Sequence, residues 1–142
     1  MKSIKELIEI AFAENSNIHA ELCIGAVTKK NAEDIKQLIN EDLVGAERYL
    51  DTNTIRHIIK NHGSSKSEEN RGQIAISLDD IEAIPQILRS YHTIKYIGKN
   101  RMKQDIFEYE TKINGTFIIV EAIRIRKWGN RMYIQTMYKR KK

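Results

Sequence analysis

The period of the hydrophobic pattern changes at Thr93. Before it, apolar residues recur every three or four positions, as in Ile4, Leu7, Ile8 and Ala11, in Ile35, Leu38 and Ile39, in Ile55, Ile58 and Ile59, and in Ile81, Ile84, Ile87 and Leu88. After it they recur at every second position through four runs, 93–97, 105–113, 116–126 and 131–138. A period near 3.6 buries one stripe of a helix, and a period of two buries one face of a strand. The pattern predicts an α+β fold, with N-terminal helices packed on a C-terminal four-stranded antiparallel sheet and the other sheet face available for a ligand. One earlier strand is expected where Ile18, Ala20, Leu22, Ile24 and Ala26 alternate with His19, Glu21, Cys23 and Gly25.

Local signals place the boundaries. Ser3 with Glu6 forms a capping box for the first helix, and Asn31 is a plausible cap for a second over 32–40. The third begins after Asp51 or Thr52 and stops at Gly63, and residues 64–72 read as a polar loop. Ser77 opens a fourth, which Pro85 kinks or divides. Asn114-Gly115 signals a type I′ hairpin.

With 142 residues and 41% hydrophobic content, the chain suits one compact domain over 1–142, ending in a short basic tail. Cys23 is the only cysteine, so neither a disulfide framework nor a paired-Cys metal site is expected, and no metal or cofactor is predicted. No apolar run approaches the ~20 residues that span a bilayer. A reducing, cytoplasmic setting and no membrane partner are expected.

Charge is unevenly placed. The net charge is +5, yet from Ala122 to Lys142 there are eight bases and no acid, which leaves residues 1–121 at −3. Arg124, Arg126, Lys127, Arg131 and Lys139 are interleaved with Trp128, Tyr133 and Tyr138, a combination suited to a phosphate backbone and its bases. The competing reading is a solvated strand edge, because Lys and Arg also discourage edge pairing.

Two-residue turns at Asn114-Gly115 and Gly129-Asn130 set Glu108 opposite Glu121 and Glu121 opposite Tyr138, with Thr136 on the same face. Facing carboxylates repel, so the grouping points to a site, the competing reading being that Glu121 is a surface residue on a solvated sheet face; a slip of one residue at either turn breaks the grouping. His57 and His62 have the side chain whose titration suits proton transfer near neutrality. Measured from Ile55 at about 100° per residue, His57 lies about 200° round and His62 about 340°. They are therefore not a side-by-side pair: either the helix ends before His62, as Gly63 would allow, or only one of the two meets the sheet while the other packs or caps. Their spacing is poor for metal ligation. His19 and His92 read as packing or surface residues.

The run Ile55-Arg56-His57-Ile58-Ile59-Lys60-Asn61-His62-Gly63, the Ile84-Pro85 step, Ile118-Ile119-Val120-Glu121 and the closing Thr136-Met137-Tyr138 together resemble the phage barnase, EndoU, colicin and RelE-like (BECR) nucleases, over roughly residues 20 to 138. The resemblance implies a small α+β fold and a metal-independent ribonuclease, phage-encoded or toxin-like. His57, His62, Glu121, Thr136 and Tyr138 match its motif positions.

The expected chemistry is endoribonuclease cleavage by the ribose 2′-hydroxyl, with His57 or Glu121 as base and His62 as acid. Thr136, Tyr138 and Lys60 or Arg131 would stabilise the phosphorane. Arg124, Arg126, Lys127, Arg131 and Lys139 would hold the backbone, and Trp128 or Tyr133 would stack a base. RNA is the expected partner, with tRNA among the candidates. A toxin-like role would add an antitoxin or immunity protein, and would put the site of action in the maker's or a target cell's cytoplasm. The alternatives are a nucleic-acid-binding module without turnover and an interaction domain covered by such a partner.

Overall fold

A computed structural model describes residues 3–13, 18–126 and 129–141. Its helices are α1 (Ile4–Ala11), α2 (Lys29–Ile39), α3 (Thr52–His62), α4 (Ser65–Asn70), α5 (Leu78–Glu82) and α6 (Ile84–Arg89). Its strands are β1 (Glu21–Ala26), β2 (Glu47–Asp51), β3 (Gln73–Ile74), β4 (Thr93–Lys99), β5 (Asp105–Lys112), β6 (Thr116–Arg124) and β7 (Arg131–Arg140).

Several of the local signals act as expected. The Ser3 side chain accepts from the Glu6 amide at 3.1 Å and starts α1. Asp51 caps α3 through the Thr54 amide at 2.7 Å. Ser77 and Asp80 complete a reciprocal capping box at α5, and Pro85 opens α6, so the proline divides the helical segment. Gly63 ends α3 where a Cβ would lie 2.6 Å from the Ile59 carbonyl oxygen. The cap of α2 differs from expectation: it is Thr28, whose hydroxyl accepts from the Asn31 amide at 3.1 Å, and Asn31 is buried inside the helix.

The four antiparallel C-terminal strands form as a meander, but they are only part of the sheet. Seven strands are present among the described residues, in the order β1-β2-β7-β6-β5-β4, with β3 paired to the far end of β7. β2 runs parallel to β7, which makes the sheet mixed. The expectation of a four-stranded antiparallel sheet is corrected accordingly: the helical half supplies three strands of its own. β2 was hidden by its composition, since Glu47, Arg48 and Asp51 mask the alternation of a five-residue strand. The segment expected as a loop at 64–72 holds α4, a polar helix with the fully buried Glu68 at its centre.

The hairpin register is corrected as well. Lys112 pairs with Thr116, so three residues close the β5–β6 turn, with Ile113 N–H bonded to the Gly115 carbonyl at 3.0 Å. Asn114 and Gly115 take φ values of 49° and 120°. One added turn residue moves every cross-strand partner by one, and side chains alternate faces, so the pairing changes side. Phe107 stands opposite Glu121, and Glu108 opposite Val120. The β6–β7 connection is also longer than two residues, because Arg124 pairs with Arg131, and a bulge shifts the register between Val120 and Glu121.

Helices cover one face of the sheet. Leu7, Ile35, Ile55, Ile58, Ile81, Ile84 and Leu88 meet Phe107, Tyr109, Phe117, Ile119, Ile123, Met132, Ile134 and Met137 in one core. Each such side chain contributes about 1.5–3 kcal/mol of transfer free energy on full burial. No helix among the described residues is long and apolar enough to cross a membrane.

Candidate active site on the open sheet face

The two sheet faces carry different chemistry. On the helix-covered face Glu121 is fully buried and held by Arg48 of β2, Nε to Oε2 at 2.5 Å and Nη2 to Oε1 at 3.0 Å. Tyr109 donates to Glu121 Oε1 at 2.9 Å, Arg48 Nη2 donates to Asn31 Oδ1 at 2.7 Å, and Asn31 Nδ2 donates to the Tyr109 hydroxyl at 3.2 Å. Burial opposes the Arg48 charge, but the Glu121 carboxylate outweighs it and raises the pKa above the ordinary range. Burial, and then the Glu121 charge, push Tyr109 well above the usual tyrosine value, so its hydroxyl stays neutral. Glu121 is therefore not beside Glu108, Thr136 and Tyr138: the register correction carries it to the other face.

This network sets an alkaline limit. A pKa raised in the folded state gives stability that is fully present below the unfolded value, about 10 for tyrosine, and is lost as pH rises beyond it. Unfolding free energy, followed by circular dichroism in urea, is expected to fall above about pH 10 by up to roughly 1.4 kcal/mol per unit from Tyr109. In Tyr109→Phe that loss should be shallower.

The open face is built differently. Alternation along β5, β6 and β7 sends Glu108, Glu110, Val120, Arg124, Arg131, Tyr133, Thr136, Tyr138 and Arg140 away from the helices. His62, the last residue of α3, reaches this face past the β7 edge. Its ring lies against Tyr138, with centroids 5.6 Å apart. Its Nδ1 is 3.2 Å from Oε2 of Glu68, whose carboxylate is fully buried. Arg71 donates to the other Glu68 oxygen at 2.8 Å and to the Asn61 carbonyl at 2.7 Å. The Glu68 carboxylate can only accept, so it pairs with the His62 tautomer that carries its proton on Nδ1; Arg71 Nη1, a donor, also lies 3.4 Å from that nitrogen. The Tyr138 hydroxyl lies 3.4 Å from Glu108 Oε1. Burial, and then the Glu108 charge, raise the Tyr138 pKa, so it remains a neutral donor. Glu108, Glu110, Lys95, Thr93, Ile118 and Arg140 line a small cleft beside it, and Arg140 pairs with Glu110.

At the other end of β7 the same face carries a stack of rings and guanidinium groups. Arg124 covers the Tyr133 ring at 3.8 Å, Tyr133 stacks on Tyr49 with centroids 5.5 Å apart, and Arg131 lies 4.7 Å from the Tyr49 centroid. Three buried side-chain atoms lack a hydrogen-bond partner among the described residues: Thr136 Oγ1, Arg124 Nε and Gln73 Oε1. By register all three belong to the open face, whereas the core network is fully paired. Among the described residues no three His, Cys, Asp or Glu side chains gather closely enough to hold a metal ion.

Of the sequence candidates, His62, Thr136 and Tyr138 share the open face. His57 is exposed on α3, with Nδ1 3.0 Å from Asn61 Nδ2, and it touches none of them. Lys60 and Arg126 are exposed. Tyr133 is only 3% exposed, too enclosed to stack a base itself. Lys139 lies over Phe117 at 4.7 Å on the helix side. Lys127 and Trp128 fall outside the described residues. Sequence reasoning missed Glu68, Arg71, Arg48 and Tyr49 as site or support residues. It placed Glu108 on the open face without giving it a role.

The family described as phage-Barnase-EndoU-ColicinE5/D-RelE like nuclease3 matches the chain over residues 25–142. The chain belongs to this nuclease family. The region shared with the phage-Barnase-EndoU-ColicinE5/D-RelE like nucleases begins inside β1 and takes in His62, Glu68, Glu108 and all of β7. No curated protein and no solved structure matches the chain.

Proposed function

We propose that this nuclease is an endoribonuclease that needs no metal ion and cuts single-stranded or loop RNA on the open sheet face. The 2′-oxygen bonds to the adjacent phosphorus while the bond from phosphorus to the 5′-oxygen breaks. Glu108 takes the 2′-hydroxyl proton, and His62, protonated at Nε2, gives a proton to the departing 5′-oxygen. The products are a 2′,3′-cyclic phosphate and a 5′-hydroxyl. Tyr138 and Thr136 donate hydrogen bonds to the phosphorane, and Lys95 and Arg140 offset its charge. Glu68 is a positioning residue, which fixes the ring and its tautomer through Nδ1.

The supporting observation is the run from buried Glu68 to His62, then Tyr138, then Glu108, four groups in succession that lead onto the sheet face away from the helices. This arrangement takes the base role away from Glu121, whose two oxygens are engaged by Arg48 and Tyr109. The test is incubation of the purified protein with RNA in EDTA, with the new ends identified by mass spectrometry. Cyclic phosphate termini are expected. Tight binding with intact RNA would favour the module without turnover, and cleavage that stops in EDTA would overturn the metal-free chemistry.

A further inference from the structure

We propose that Tyr49 and Arg131 form a nucleobase-stacking subsite for single-stranded RNA, two to four nucleotides from the bond that is cut. The proposal rests on the nuclease reading of the open face for its register, but on separate residues for its chemistry. The stack at the Arg131 end of β7 has an inner and an outer part. Tyr133 is the inner part, buried at 3% exposure between the Arg124 guanidinium and the Tyr49 ring. The outer part is Tyr49, half-buried, with the Arg131 guanidinium over its ring at 4.7 Å from the centroid and 35% of the Arg131 side chain exposed. A guanidinium plane backed by an aromatic ring is a surface on which any base can stack.

Two further features favour a base over a phosphate at this place. Arg131 lies 3.7 Å from Glu21, and the Tyr49 hydroxyl lies 3.3 Å from Glu47, so the local charge is close to balanced. The platform is also held in advance of binding. Arg48, next to Tyr49 on β2, points to the other face and is locked to Glu121, which fixes the strand beneath the ring. A surface ordered beforehand loses less entropy when a ligand arrives.

Distance along β7 sets the footprint. Tyr133 and Tyr138 are five residues apart on β7, up to about 16 Å at ~3.3 Å per residue, and the bulge between them shortens the span to about 15 Å. Stacked nucleotides rise about 3.4 Å each and extended ones roughly twice that, so the span takes about two to four nucleotides. A dinucleotide bound at His62 would not reach Tyr49.

The experiment measures binding of 2′-O-methyl RNA oligonucleotides, which lack the attacking hydroxyl, in a series from about two to six nucleotides. For the wild type, affinity is expected to step up on the order of tenfold as length passes the span, with little dependence of the step on salt. Tyr49→Ala should lose the step and keep dinucleotide binding, Tyr49→Phe should retain it, and Arg131→Ala should reduce it. The absence of a step in the wild type, or an equal loss for short and long oligonucleotides in Tyr49→Ala, would overturn the subsite. Because these RNAs are not cleaved, a step seen in a protein that cuts no RNA would preserve the subsite while the catalytic reading fails.

Discussion

His62→Ala is expected to lower kcat/KM on RNA by about 10²–10⁴-fold, the range for removing a positioned acid or base, with a lowered urea midpoint but a folded protein, because the buried Glu68 carboxylate keeps Arg71 as a partner. The argument is geometric. His62 has a buried carboxylate beside Nδ1 and lies with its ring against Tyr138, whose hydroxyl meets Glu108. His57→Ala should stay within about threefold of the wild type, because that ring is exposed and its hydrogen bond goes to Asn61 on its own helix. Glu68→Gln completes the comparison. If Glu68 positions and polarises His62, the variant loses rate and the alkaline limb of its pH profile, where the proposed acid loses its proton, moves to lower pH, whereas a purely structural role would leave the profile in place. Equal losses from His57→Ala and His62→Ala would defeat the assignment.

Glu121 gives the second large effect, on stability. Glu121→Ala leaves Arg48 charged and without its carboxylate partner in the core, a change that costs about 3–5 kcal/mol in comparable buried pairs. The urea midpoint and melting temperature should drop accordingly, and the double variant Arg48→Met with Glu121→Met should recover most of the loss, since an apolar pair of similar volume removes the desolvation penalty. At temperatures where the single variant is still folded, its kcat/KM should remain near the wild-type value. A Glu121→Gln protein of full stability that cuts no RNA would instead restore Glu121 to the chemistry.

The change of period at Thr93 made the meander legible, because β4 to β7 alternate in the ordinary way. The register was not legible, and β6 shows why. Thr116 to Ile119 are all buried, so both faces of that strand are apolar or enclosed, and burial pattern does not arbitrate between a two-residue and a three-residue turn. Since Asn-Gly serves both turn lengths, Glu121 could be moved across the sheet by a single loop residue. β2 was obscured by the feature that stabilises it, an inward-facing arginine. Glu68 was obscured by its neighbours, since Ser64 to Gly72 has the composition of a solvated loop and nothing local marks one carboxylate in it for burial. The spacing from His62 to Glu68, read as one turn beyond the Gly63 stop, was the available signal.

β7 follows the other six strands in the chain, yet it lies between β2 and β6 in the sheet. The β1–β2 ribbon therefore waits for the segment made after all the others before it can join the meander, and the partners it then meets are some 80 residues away in sequence. Loop closure over that distance makes this docking a late and slow event. Thr136, Tyr138 and Tyr133 travel on the same strand, so a half-synthesised polypeptide lacks the proposed site, and the sheet is closed last at its middle.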